Sequence, residues 1–152
     1  MQTFQRPEIC SQCGGKCCKR LPGTAHPSDF GLPSTRRLSA ALRSGRWAID
    51  WWEGDPREDR EEVKRGYWIR PATKGKEGEL YDGSLGGKCT FLTLRGCELS
   101  PEDRPLQCRL LEPRPGGHGN CKAHHGFTKR EDALAWEPYW DLLDNIAERI
   151  RR

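Results

Sequence analysis

Cys10-Ser11-Gln12-Cys13-Gly14-Gly15-Lys16-Cys17-Cys18 places four cysteines within nine residues. A thiolate-bound metal needs soft ligands gathered by tight turns. Cys10-x2-Cys13 offers two such ligands, Gly14-Gly15 frees the backbone to curl around an ion, and Cys17 adds a third thiolate. Cys17 and Cys18 are neighbours whose side chains diverge, so either they serve two adjacent centres or one is a spare thiol. Four more cysteines follow at Cys89, Cys97, Cys108 and Cys121. The opening cluster is therefore half of a composite site. The expected metal ligands are Cys10, Cys13, Cys17, Cys18, Cys89, Cys97, Cys108 and Cys121.

Composition explains why such a chain would need metal. Of 152 residues, 34% are hydrophobic and 32% charged, with 17 Gly and 11 Pro. That mixture builds one modest core and spends many residues on turns. Ligation adds its binding free energy directly to folding and can hold loops that apolar burial cannot. The start MQTFQRPEIC has no apolar segment of the kind a secretory signal carries, and no window approaches a membrane span. The expectation is a cytoplasmic chain with no membrane partner. In a reducing compartment cysteines serve as ligands more readily than as disulfides, and the Cys17-Cys18 pair also argues against a simple disulfide framework.

The net charge of +4 is mild. Lys19-Arg20, Arg36-Arg37, Arg43, Arg46, Arg149, Arg151 and Arg152 are scattered between acids and read first as solvated surface. Such a charge permits contact with nucleic acid or an acidic protein assembly without demanding it.

Along the chain, residues 1–23 read as loop with room for one helical turn. Ser34 is the expected N-cap of a helix running to about Arg43, with Leu38, Ala41 and Leu42 on one face and Gly45 closing it. The aromatics Trp47, Trp51 and Trp52 precede a charged run, Glu53 to Arg65, that has no apolar period. Tyr67-Trp68-Ile69 predicts a short strand stopped by Pro71, and Cys89-Thr90-Phe91-Leu92 a second one that turns back through Leu94 to Cys97. Ser100-Pro101-Glu102-Asp103 has the cap, proline and acids of a helix start, carrying Leu106 to Leu111. Tyr139, Leu142, Leu143, Ile146 and Ile150 repeat at helical spacing near the C-terminus, with Pro138 in the first turn.

Other chemistry is weaker. His118, His124 and His125 flank Cys121, but thiolates outcompete imidazole for soft metals, so they read as loop histidines. A nucleophilic cysteine could draw on Arg109 beside Cys108, yet almost every thiol already has a place as a ligand. Glu53, Asp55, Asp59 and Glu61 read as a solvated run, and Gly83-x2-Gly86-Gly87 lacks the helix and hydroxyl of a phosphate loop. Trp47, Trp51, Trp52, Tyr67 and Trp68, with Arg46 and Arg70, are compatible with base stacking. Packing in the core, with the arginines at its rim, is the plainer expectation.

The spacing leaves the metal open. Zinc takes ligands in pairs, so eight cysteines can divide into two zinc sites; three in one loop with a remote fourth is the habit of an iron–sulfur cluster. Taken together, Cys10-x2-Cys13-x3-Cys17-Cys18, Pro27-Ser28-Asp29, Cys89-x-Phe91-Leu92, Cys97 and Arg104-Pro105-x2-Cys108-Arg109 resemble the YkgJ-like CxxCxxxCC family, described as a zinc- or iron-chelating domain. The cysteine core is also similar to that of flagellin lysine methylases, which are iron–sulfur proteins. That likeness implies a [4Fe-4S] cluster ahead of Zn2+ and carries over no methylase activity, because it covers the cysteine core alone.

The expected fold is one small, irregular α+β domain over residues 1–152, with cysteine-rich, metal-stapled loops clamped by a short hairpin and several helices. Residues 45–80 read as a variable charged and aromatic insertion, and 138–152 as a C-terminal helix. The expected function is cysteine-ligated metal binding of the YkgJ-like type, with redox, catalytic and structural roles for the metal all compatible with the spacing. The alternative is a zinc-stapled module that docks on nucleic acid or a larger protein assembly.

Overall fold

The computed structural model describes residues 22–51, 66–84, 87–112, 122–123 and 129–151. Two runs of aromatic and β-branched residues build its centre. Trp47–Trp51 (β1) and Tyr67–Pro71 (β2) pair antiparallel, with Ile49 opposite Ile69 and Asp50 opposite Trp68. Such residues suit a pleated surface packed on its faces. All five residues of β2 are buried, so no alternation of apolar and polar residues marks it.

Both edges of this hairpin are occupied by extended chain. On the β1 side, the Ile49 amide donates to Leu80 O at 2.8 Å and the Asp82 amide to Ile49 O at 2.9 Å. On the β2 side, the Ala25 amide donates to Ile69 O at 2.8 Å. Beyond Pro71 the chain pairs with residues 88–90, through Thr90 N to Ala72 O at 2.9 Å and Lys74 N to Lys88 O at 2.7 Å.

Helix α1 spans Arg36–Arg43 and buries Leu38 and Leu42, one turn apart on the same face. Its N-cap is Thr35, one residue later than the expected Ser34, and no side chain caps it. Gly45 ends it at φ 77°, where a Cβ would press on the Gly78 backbone at 3.1 Å; glycine suits both the dihedral and the approach.

The second hairpin is short: Leu92–Thr93 (β3) pairs with Gly96–Cys97 (β4). The helix expected from Ser100 divides in two. Pro101–Asp103 forms a 3-10 turn, Arg104 and Pro105 are extended at ψ 147° and 148°, and only Leu106–Arg109 (α2) is α-helical. The cause is Pro105, because a residue before proline is driven out of the helical region. Leu111–Glu112 (β5) pairs with Lys122–Ala123 (β6).

Helix α3, Lys129–Trp136, packs on β2, and α4, Trp140–Arg151, contacts α1. The 3-10 turn Glu137–Tyr139 that joins them contains Pro138. The core gathers Phe30, Leu38, Leu42, Ile49, Tyr67, Trp68, Ile69, Trp136, Leu143 and Ile146. Phe30 meets Trp47 edge-on at 5.2 Å, and Tyr67 stacks on Trp140 at 5.4 Å, arrangements that aromatic quadrupoles favour. The architecture is a small α+β fold. No described helix is long and apolar enough to cross a membrane.

Candidate metal centre

The segment that follows the first cysteine cluster in sequence runs as a strap across the fold. Its middle is held on both sides: the Ala25 amide bonds to β2, and Ala25 O accepts from the buried Trp136 indole at 2.8 Å. Before it, Thr24 exchanges two bonds with Gln107, N to Oε1 at 2.8 Å and Gln107 N to Thr24 O at 3.1 Å. Gly23 lies directly against Cys108, so that a Cβ there would collide with Sγ. After it, His26 opens a 3-10 turn, Pro27–Phe30, through a reciprocal capping box with Asp29.

Asp29 also reaches α2. Its Oδ2 accepts from His26 N and from Leu106 N, both at 2.9 Å, while Oδ1 pairs with Arg109 Nη2. The Asp29 and Arg109 side chains are 11% and 18% exposed. The two motif fragments Pro27-Ser28-Asp29 and Arg104-Pro105-x2-Cys108-Arg109, far apart in sequence, are thus bonded to each other.

Cys89 and Cys97 belong to the second hairpin region. Cys89 bridges Thr73, Cys97 pairs with Leu92, and the Leu92 amide donates back to Cys89 O at 3.0 Å. Burial pushes the Cys89 thiol up to about 11; the Cys97 sulfur adds to the rise, and a backbone bond from Phe91 with the Arg46 and Arg70 charges only partly opposes it. Such a thiol stays protonated at neutral pH unless a cation draws the proton off. Arg46 lies over the Phe91 ring at 4.2 Å, donates to Thr90 O at 3.3 Å and pairs with Glu98, bracing this hairpin.

Deeper in the fold is a buried ion network. Arg70 and Asp50 are each 1% exposed, with Nε to Oδ2 at 2.7 Å; Arg70 Nη2 donates to Asp82 O at 2.8 Å and lies 3.3 Å from Asp82 Oδ2. Asp82 Oδ1 accepts from Ser84 N at 3.0 Å. Arg70 therefore belongs to the core and not to its rim, because the Asp50 carboxylate and the Asp82 and Pro71 carbonyls accept from its guanidinium. The sequence signal was an Asp and an Arg each set inside an aromatic run.

Among the described residues, Cys89 and Cys97 are brought to one hairpin and Cys108 to the strap at Gly23, and no group of three or more His, Cys, Asp or Glu is arranged to hold a metal ion. Cys10, Cys13, Cys17, Cys18 and Cys121 lie outside the described residues, as do His118, His124, His125, Trp52 and the run Glu53 to Arg65. Trp68 and Tyr67 are core residues, and Trp47 is partly buried between Phe30 and Phe91. Trp51 lines an open groove of about 580 Å³ with Tyr81, Asp82 and Arg151, and no described cysteine borders it. Asp29, which in the sequence belongs only to a turn motif, is the residue that bonds the Pro27-Ser28-Asp29 and Arg104-Pro105-x2-Cys108-Arg109 fragments together.

The chain matches no protein-family model, no curated protein and no solved structure.

Proposed function

We propose that the chain is a cysteine-ligated metal-binding protein of the YkgJ-like type, with Cys10, Cys13, Cys17, Cys18, Cys89, Cys97, Cys108 and Cys121 as the ligand pool and a [4Fe-4S] cluster ahead of zinc. The observation that carries this reading is the contact between Gly23 and Cys108. Gly23 follows Cys18 by five residues, and five residues of chain span at most about 18 Å. The sequence itself therefore keeps Cys18 within that reach of the turn that bears Cys108. Cys89 and Cys97, linked through Leu92, which donates to Cys89 O and pairs with Cys97, are a second pair of soft donors. Bound metal would supply redox or Lewis-acid chemistry, or a structural staple; the residues contribute thiolates and the frame that aims them.

Metal analysis of protein purified with and without air tests the reading. A brown protein with iron and sulfide supports the cluster, and a colourless one with stoichiometric zinc supports a zinc site. Cys13→Ala and Cys108→Ala are expected to lose metal together with much of the fold, since ligation and folding are coupled. Protein that holds neither metal in either preparation overturns the proposal.

A further inference from the structure

Helix α2 is a single turn, and one turn of helix does not stand alone, because its nucleus orders several residues for one hydrogen bond. Its first amides also need acceptors, and its N-cap is Pro105, which has no side chain to offer one. The acceptor comes from 77 residues away in sequence, in the Asp29 carboxylate. The same carboxylate pairs with Arg109, the residue after Cys108, whose Nε is buried and finds no hydrogen-bond partner among the described residues. A half-buried guanidinium with one arm unbonded leans on the charged partner it has, here Asp29.

From this arrangement we propose that Asp29 is a positioning residue for Cys108. It fixes the start of the turn, anchors the side chain that follows the cysteine, and closes the His26 turn that holds the strap in place. Gly23 then packs against the thiol, and Thr24 bonds to the neighbouring Gln107. The role in metal capture rests on the metal-binding reading; the role in holding the thiol does not.

Cysteine labelling separates the two. In reduced, metal-free, full-length protein, iodoacetamide labelling of each cysteine is followed by peptide mass mapping. Asp29→Ala is expected to raise the rate at Cys108 roughly tenfold or more, the equilibrium equivalent of one lost charge-assisted hydrogen bond, while Cys89 and Cys97 keep their wild-type rates. Asp29→Asn retains an oxygen for Leu106 N and loses the charge, so it falls between. Cobalt(II) then serves as a spectroscopic probe: its thiolate charge-transfer bands shift and weaken in Asp29→Ala and recover in part in Asp29→Asn. An equal rise at Cys89 would make Asp29 a general fold residue and overturn the proposal, as would an unchanged rate at Cys108. Wild-type protein that takes up no cobalt overturns the metal reading alone, and the labelling result still decides the role of Asp29.

Discussion

Gly23 and Cys108 are in contact so close that a single added methyl group on the glycine would overlap the sulfur. The neighbouring Thr24–Gln107 bonds hold both backbones in register, so the strap cannot move away without breaking them. Gly23→Ala is therefore expected to lose about 1–3 kcal/mol of stability, the usual cost of overpacking a close contact. A urea midpoint unchanged from wild type would show that the strap relaxes freely.

The Arg70 network gives a larger effect. Removing one member of a buried charged cluster leaves the others unpaired, and such changes cost about 3–5 kcal/mol. Arg70→Met leaves Asp50 in the core without its cation and Asp82 with only Lys76, 3.8 Å from its Oδ1. The triple variant with Asp50→Asn and Asp82→Asn is expected to regain part of that loss, because no buried charge remains unpaired. Chemical denaturation of the two variants compares them directly; a triple variant no more stable than the single one would count against charge as the cause.

The same two carboxylates respond to acid in opposite ways. Burial raises Asp50 above the ordinary value of 3.8, outweighing the Arg70 charge beside it. At Asp82 burial also pushes upward, but the bonds from Ser84 and the Arg70 charge together outweigh it, and the carboxyl ends below 3.8. Linkage then gives the signs. A raised carboxyl adds stability on the acid side that is lost as pH rises through its folded value. A lowered one adds stability above 3.8 that is lost as pH falls through its folded value. Below 3.8, Asp82→Asn should lose stability with acid less steeply than wild type, and above 3.8 Asp50→Asn should lose it more steeply. Parallel curves for the two variants would refute the assignment.

Much of the fold could be read from pattern, and the failures have physical causes. Helix α1 and the C-terminal helix declared themselves through apolar spacing, and the Tyr67 strand through its aromatic run. Strand β1 was missed because Trp47-Ala48-Ile49-Asp50-Trp51 contains an acid that only a distant Arg70 makes tolerable in a core. The Ser100 helix broke at Pro105, whose effect on Arg104 overrode a good cap. The cysteines stood out by residue type alone, whereas Asp29 did not: its importance lies in bonds to Leu106 and Arg109, and sequence spacing does not encode such long-range partners. Pro27-Ser28-Asp29 read only as a turn until the partner segment was placed beside it.

Trp136 offers a test of the strap from its other side. The indole is fully buried, and its Nε1 donates to Ala25 O at 2.8 Å, while the Ala25 amide donates to β2. Phenylalanine keeps an aromatic ring in the core but removes the donor, leaving a buried carbonyl unsatisfied at a cost of about 1–3 kcal/mol. Leu134→Ala, on the same helix but 53% exposed, should change stability by less than about 0.5 kcal/mol. Trp136→Phe is also expected to speed hydrogen exchange at the Ala25 amide, because Ala25 then has one anchor, on β2, where it had two. If Ala25 exchanges at its wild-type rate in that variant, Trp136 contributes to packing alone, and the strap is held by β2 and α2 without it.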